Sequence, residues 1–135
     1  MNSDGIDVVI GDVNSFVASH LWMDFGVWSF REEDLEISGT LDESSWSDFR
    51  IVFEGVCWAS VRFQGWRSDT SRPVLSRVVG AEARSINGRF QIEVGHHIFE
   101  FVSEDFDEPM WVAARSIEAD FRRWDLATRS YGLTR

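Results

Sequence analysis

The side chains able to do chemistry in this chain are its carboxylates, its indoles, three histidines and one thiol, and their spacing limits what each can do. His96 and His97 are adjacent, so on a strand they point to opposite faces and cannot chelate one metal ion. His20 has no helical partner at ligand spacing. The acidic turn Glu104-Asp105-Phe106-Asp107-Glu108 offers oxygen ligands but lacks the glycine and the distal glutamate of a calcium loop. No serine sits in a nucleophile elbow. A Gly-Lys-Ser/Thr phosphate loop is impossible, because all thirteen bases are arginine. Carboxylates are numerous enough for a glycosidase pair, but number is not geometry. These observations argue against an enzyme, and no metal or cofactor is expected.

Binding is the chemistry that remains. The 135-residue chain has a formal net charge of -10, and residues 1–60 carry all of the excess with twelve acids against two bases. Glu32, Glu33 and Asp34 form one run, with Asp42, Glu43 and Asp48 close behind. Glu104, Asp105, Asp107 and Glu108 make a second patch. Such a field repels phosphate backbones and anionic headgroups, so neither nucleic acid nor a membrane surface is an expected partner. Its complement is a protein with a basic surface. Long-range charge steers but does not anchor; of the seven tryptophans, Trp28 is the expected apolar anchor. Two alternatives stay open. Trp58 and Trp66, on the polar side of their strand, could form an exposed platform for a sugar or other small ligand. The acids could also be a face kept for solubility on a structural or adaptor domain.

The elements that must position these residues follow from periodicity. Asp4 to Ile10 reads as a short strand or an ordered arm, and Asp12 as the cap of a helix over about 12–23. Alternation then gives strands over Asp34–Leu41, Phe49–Glu54 and Cys57–Gln64, followed by an exposed loop over 67–73. Asn87-Gly88 predicts a two-residue hairpin turn with Ala83 opposite Ile92 and Ala81 opposite Val94. Ile98–Val102 is a further strand. After Pro109, Met110 to Trp124 fits a helical stripe and an alternating strand equally; pairing with Ile98–Val102 favours the strand. The predicted fold is a single α+β domain over 1–135. An antiparallel sheet of about six strands, curved or folded into a half-barrel, is joined by an amino-terminal helix, and a tail over 126–135 is frayed.

The one cysteine, Cys57, lies between Val56 and Trp58 and reads as a small buried hydrophobe, and a lone thiol suits a reducing compartment. The first residues lack the basic start and apolar core of a signal peptide, and no apolar run is long enough to span a bilayer. A cytoplasmic protein is expected.

The stretch Gly26-Val27-Trp28-Ser29-Phe30-Arg31-Glu32-Glu33-Asp34-Leu35-Glu36 precedes the alternating strands and Phe53-Glu54-Gly55-Val56. Phe99-Glu100-Phe101 and Ala113-Ala114-Arg115-Ser116-Ile117-Glu118 follow later. This order resembles the small acidic immunity proteins of bacterial polymorphic-toxin systems, notably the immunity protein 50 family, over roughly residues 26–121. Arg31 and Glu32 stand where that family often carries His and Asp. The resemblance implies a toxin-neutralising protein of mainly antiparallel strands, and it transfers no catalytic residue. A cognate toxin blocked by steric occlusion is the partner it suggests.

Overall fold

The computed structural model describes residues 1–41, 46–104, 107–125 and 130–131. In chain order the elements are α1 (Ser3–Ala18), β1 (Met23–Arg31), β2 (Asp34–Thr40), β3 (Trp46–Ser47), β4 (Phe49–Glu54), β5 (Trp58–Ser60), β6 (Trp66–Ser68), β7 (Leu75–Val78), α2 (Gly80–Phe90), β8 (His97–Phe101), β9 (Met110–Ala114), β10 (Ser116–Asp120), β11 (Trp124–Asp125) and β12 (Ser130–Tyr131). The fold is α+β, its described strand pairs are antiparallel, and an amino-terminal helix packs on it. In place of one six-stranded half-barrel there are two open sheets. One has five strands in the order β10-β4-β2-β1-β6 and the other four in the order β5-β9-β8-β7; a small third group joins β12, β11 and β3.

The reason for two sheets is a corner. Gly55, at φ +64°, turns the chain after β4, and Arg115 separates β9 from β10 opposite it. The β4/β10 pair ends at Glu54 and Ser116, and the β5/β9 pair begins at Trp58 and Ala113. Hydrogen bonds from Arg115 N to Glu54 O (2.9 Å) and from Cys57 N to Ala113 O (3.0 Å) carry the ladder round the bend. The segment after Pro109 is therefore extended, as two strands. The strand predicted over Cys57–Gln64 shrinks to Trp58–Ser60, and Cys57 is exposed at the corner rather than buried.

Alternation fills the space between the sheets. Leu35, Ile37, Phe49, Ile51, Phe53 and Ile117 face inward from the five-stranded sheet, and Phe99, Phe101, Met110 and Val112 from the other. Phe53 meets Phe99 at 5.1 Å between ring centroids, and Phe25 meets Phe101 at 5.7 Å. Gly39 is required where it stands: it pairs with Phe49, whose ring lies across it, and a Cβ there would sit 2.1 Å from the ring.

Three local expectations fail for identifiable reasons. The first helix spans Ser3–Ala18, not 12–23, because Ile6, Ile10, Val13 and Val17 form one buried stripe at helical spacing. Asn2, not Asp12, caps it, its side-chain oxygen accepting the Gly5 N–H at 2.9 Å. From that helix Asn14 satisfies the open edge of β7. Its amide donates to Leu75 O (2.8 Å), and its oxygen accepts Val74 N–H (3.0 Å) and Leu75 N–H (3.1 Å). Second, the predicted Asn87-Gly88 hairpin is α2, which lays Ala83, Ile86 and Phe90 on Val78, Ile98 and Trp111. Third, the loop predicted over 67–73 begins inside β6, with Ser68 and Thr70 buried. Of the predicted frayed tail, Ser130–Tyr131 pairs with β11; 126–129 and 132–135 lie outside the described residues.

Candidate functional site

β1 and β2 form a hairpin whose last pair is Arg31–Asp34, so Glu32 and Glu33 alone make the turn. Both have positive φ, 53° and 70°. That is the signature of the type I′ turn, whose twist matches the strands and which normally uses Asn-Gly because a side chain disfavours the left-handed region. Each glutamate there costs about 1–2 kcal/mol relative to a relaxed backbone. The turn projects two exposed carboxylates at the end of the sheet, with exposed Asp34 beside them.

Just before the turn β1 carries a bulge. Val27 pairs with Ile37 but Ser29 pairs with Glu36, leaving Trp28 as the extra residue. The bulge reverses the alternation. Val27 stays on the inner side with Ile37, Trp28 and Ser29 both line the outer face, and Phe30 returns to the inner side beyond the end of the core. Phe30 is 58% exposed, whereas Trp28 is half-buried.

On that outer face three strands bring charges together. Arg50 Nη1 donates to Glu36 Oε1 at 2.7 Å and Nη2 to Asp120 Oδ2 at 3.4 Å, from β4 to β2 and β10. The guanidinium lies 4.2 Å from the centroid of the Trp124 indole. Ser29 donates its hydroxyl to Glu36 Oε2 at 3.3 Å, and Gly55 N–H reaches Asp34 Oδ1 at 3.3 Å. Ser29, Asp34, Glu36, Arg50 and Trp124, with Trp28, Arg31 and Val52, bound a cleft of about 450 Å³. Trp28 has no ring or guanidinium on either indole face among the described residues. Trp22, Trp58, Trp66, Trp111 and Trp124 each have one. An indole with no stacking partner beside fixed donors and acceptors suits the holding of a guest.

The structure thus brings Trp28, Glu32, Glu33 and Asp34 together and leaves other expected site residues elsewhere. Asp48 is only 6% exposed, and its carboxylate accepts the Leu41 N–H at 2.8 Å; its position makes it part of the frame rather than a steering charge. Glu104 sits by β6, where its N–H meets Arg67 O at 3.0 Å, and lines a separate cleft with Asp24 and Trp66. Asp107 and Glu108 line another with Arg62. Asp24, the β1 residue opposite Arg67 of β6, is seven residues from Arg31, so Glu104 lies by the end of β1 roughly 23 Å along the strand from the Glu32-Glu33 turn. Asp42, Glu43 and Asp105 lie outside the described residues. The carboxylates therefore do not merge into one face: Asp4, Asp7 and Asp12 line the outside of α1, and Asp7 and Asp24 are paired with Arg77 and Arg67 at 3.2 and 2.9 Å.

The platform expected at Trp58 and Trp66 is absent. Trp66 is 3% exposed in the core, and Trp58 stacks on Phe90 of α2 at 4.3 Å. Phe30, Arg50 and Trp124 are the residues the sequence reading missed; nothing local links Arg50 to Trp124, and the Glu-Glu turn that exposes Phe30 has no turn signature. Among the described residues no group of three or more His, Cys, Asp or Glu could hold a metal ion, and no helix is long and apolar enough to cross a membrane. No protein-family model matches the chain, and no curated protein or solved structure does either.

Proposed function

We propose that this protein is a non-enzymatic binding module that engages a protein with a basic surface through the β1–β2 hairpin. It would act as toxin-neutralising immunity proteins do, by occluding the partner's working surface. The observation that carries this reading is the Glu32-Glu33 turn. Two acids occupy positions where Asn-Gly would relax the backbone, and exposed Phe30 stands just before them on β1, with Arg31 between. Strain kept at a surface tip marks a place where side-chain identity matters more than stability. The arrangement supplies both parts of an interface: carboxylates that raise the encounter rate, and Phe30 as an apolar anchor.

A second reading, a module for a saccharide or other neutral small ligand, is supported by the Trp28 indole, which lines the cleft without a stacking partner among the described residues. A change in tryptophan fluorescence across a panel of glycans is its sign.

The test places a photoreactive phenylalanine analogue at position 30 and irradiates the protein in extract of its native organism. One basic protein is expected to be cross-linked, and Glu32→Lys, Glu33→Lys and Asp34→Lys together should abolish the product. A cross-link that survives the triple reversal, or none at all, overturns the reading.

A further inference from the structure

We infer that the cleft beside the hairpin receives an arginine side chain of the basic partner, stacked on Trp28 and bonded to Asp34 and Glu36. This rests on the protein-binding reading above and names the contact that would anchor it.

The protein already contains one copy of the arrangement. Arg50 lies over Trp124 at 4.2 Å with its nitrogens on Glu36 and Asp120. Across the same cleft, half-buried Trp28 presents an indole with no aromatic ring or guanidinium stacked on it among the described residues, and Asp34 and Glu36 line the cleft with it. Glu36 gives Oε1 to Arg50, while Oε2 receives only a 3.3 Å hydroxyl bond. Asp34 receives one 3.3 Å backbone bond. An ionised carboxylate has about four lone-pair sites, so both retain acceptor capacity. A guanidinium uses both features at once: it is planar and weakly hydrated, stacks on aromatic faces and bonds carboxylates through two N–H groups. An ammonium matches only the charge.

The guests that fit less well are identifiable. An anion would meet the lining carboxylates Asp34 and Glu36, with the Glu32-Glu33 turn joining Arg31 to Asp34 next to them, and would find Arg50 engaged by two carboxylates. A neutral guest would gain the stacking but not the charge-assisted bonds.

The probes are acetyl-Gly-Arg-Gly-amide and its lysine and citrulline counterparts, titrated into the whole protein while indole fluorescence is followed. The arginine peptide should give a saturable change at roughly tenfold lower concentration than the citrulline peptide, with lysine between them. By calorimetric titration, which does not depend on the Trp28 indole, Trp28→Leu and Asp34→Asn should each weaken arginine-peptide binding by a similar factor. If Trp28→Leu fails to fold, Trp28→Phe should keep the binding but weaken it. Equal binding of arginine and citrulline peptides overturns the inference in favour of a neutral-guest platform. Binding that ignores Trp28 and Asp34 overturns it as well. The cross-link at position 30 separates the two claims: a partner captured there without arginine discrimination removes only the cleft's guest, whereas loss of both removes the binding reading too.

Discussion

Arg50 and Glu36 meet at 2.7 Å across the outer face of the five-stranded sheet, and Arg50 simultaneously lies against Trp124 and reaches Asp120. The pair joins β2 to β4 and fixes one wall of the cleft. Both side chains are about one-sixth exposed, so solvent screens the pair only in part.

Replacing Arg50 should cost more than replacing its partner. Arg50→Met leaves Glu36 and Asp120 as neighbouring like charges, and a loss of about 1–3 kcal/mol is expected. Glu36→Gln keeps a hydrogen-bond acceptor and should cost less. Urea unfolding of the two variants checks the order.

The turn makes a prediction with two signs. Glu32→Asn with Glu33→Gly relieves two left-handed glutamates, so the free protein should gain about 1–3 kcal/mol. The same variant loses two steering charges and should associate more slowly with the partner. Thermal unfolding and binding kinetics on one sample separate the effects.

Gly88→Ala distinguishes helix from hairpin. In α2 a Cβ at position 88 meets nothing within 4 Å, so alanine should stabilise the protein by about 0.5–1 kcal/mol. A hairpin turn there would need glycine at positive φ, and the same substitution would destabilise it. A lowered melting temperature would contradict the helix.

Acid sensitivity should trace in part to His97. Burial, reinforced by the nearby Arg77 guanidinium, holds its pKa below the ordinary 6.5, partly offset by a backbone bond involving Met1. The amino terminus and His96 add to the lowering. The unfolded chain therefore takes up this proton first as the pH falls. The neutral histidine's contribution is intact above about pH 6.5 and declines as the pH drops toward the depressed folded value. His97→Asn should flatten the slope of stability against pH in that window, as measured by denaturant melts at several pH values.

These elements also show where local pattern suffices. Strands β2 and β4 were legible because Leu35 and Ile37, and Phe49, Ile51 and Phe53, alternate with polar residues on a sheet buried on one side. The segment 81–94 was not, because it carries two consistent patterns. Asn87-Gly88 and the facing residues fit a hairpin, but Ala83, Ile86 and Phe90 also share a helical face. The packing of that face on Val78, Ile98 and Trp111 decides for the helix, and local propensity cannot report it. In α1, Ile6, Val8, Val9 and Ile10 look like a strand until Val13 and Val17 extend the helical period. The acidic run and Trp28 were visible as residues. Their meeting at one hairpin was not, because the turn uses Glu-Glu and the bulge at Trp28 leaves no mark in the sequence.

The most direct test is the rate at which the cross-linked partner associates with the wild-type hairpin and with the Glu32→Lys, Glu33→Lys, Asp34→Lys variant, across a series of salt concentrations. Steering predicts that the wild type associates at least about tenfold faster at low ionic strength, with the gap closing as salt screens the field. Equal association rates and equal salt slopes for the two proteins would contradict it.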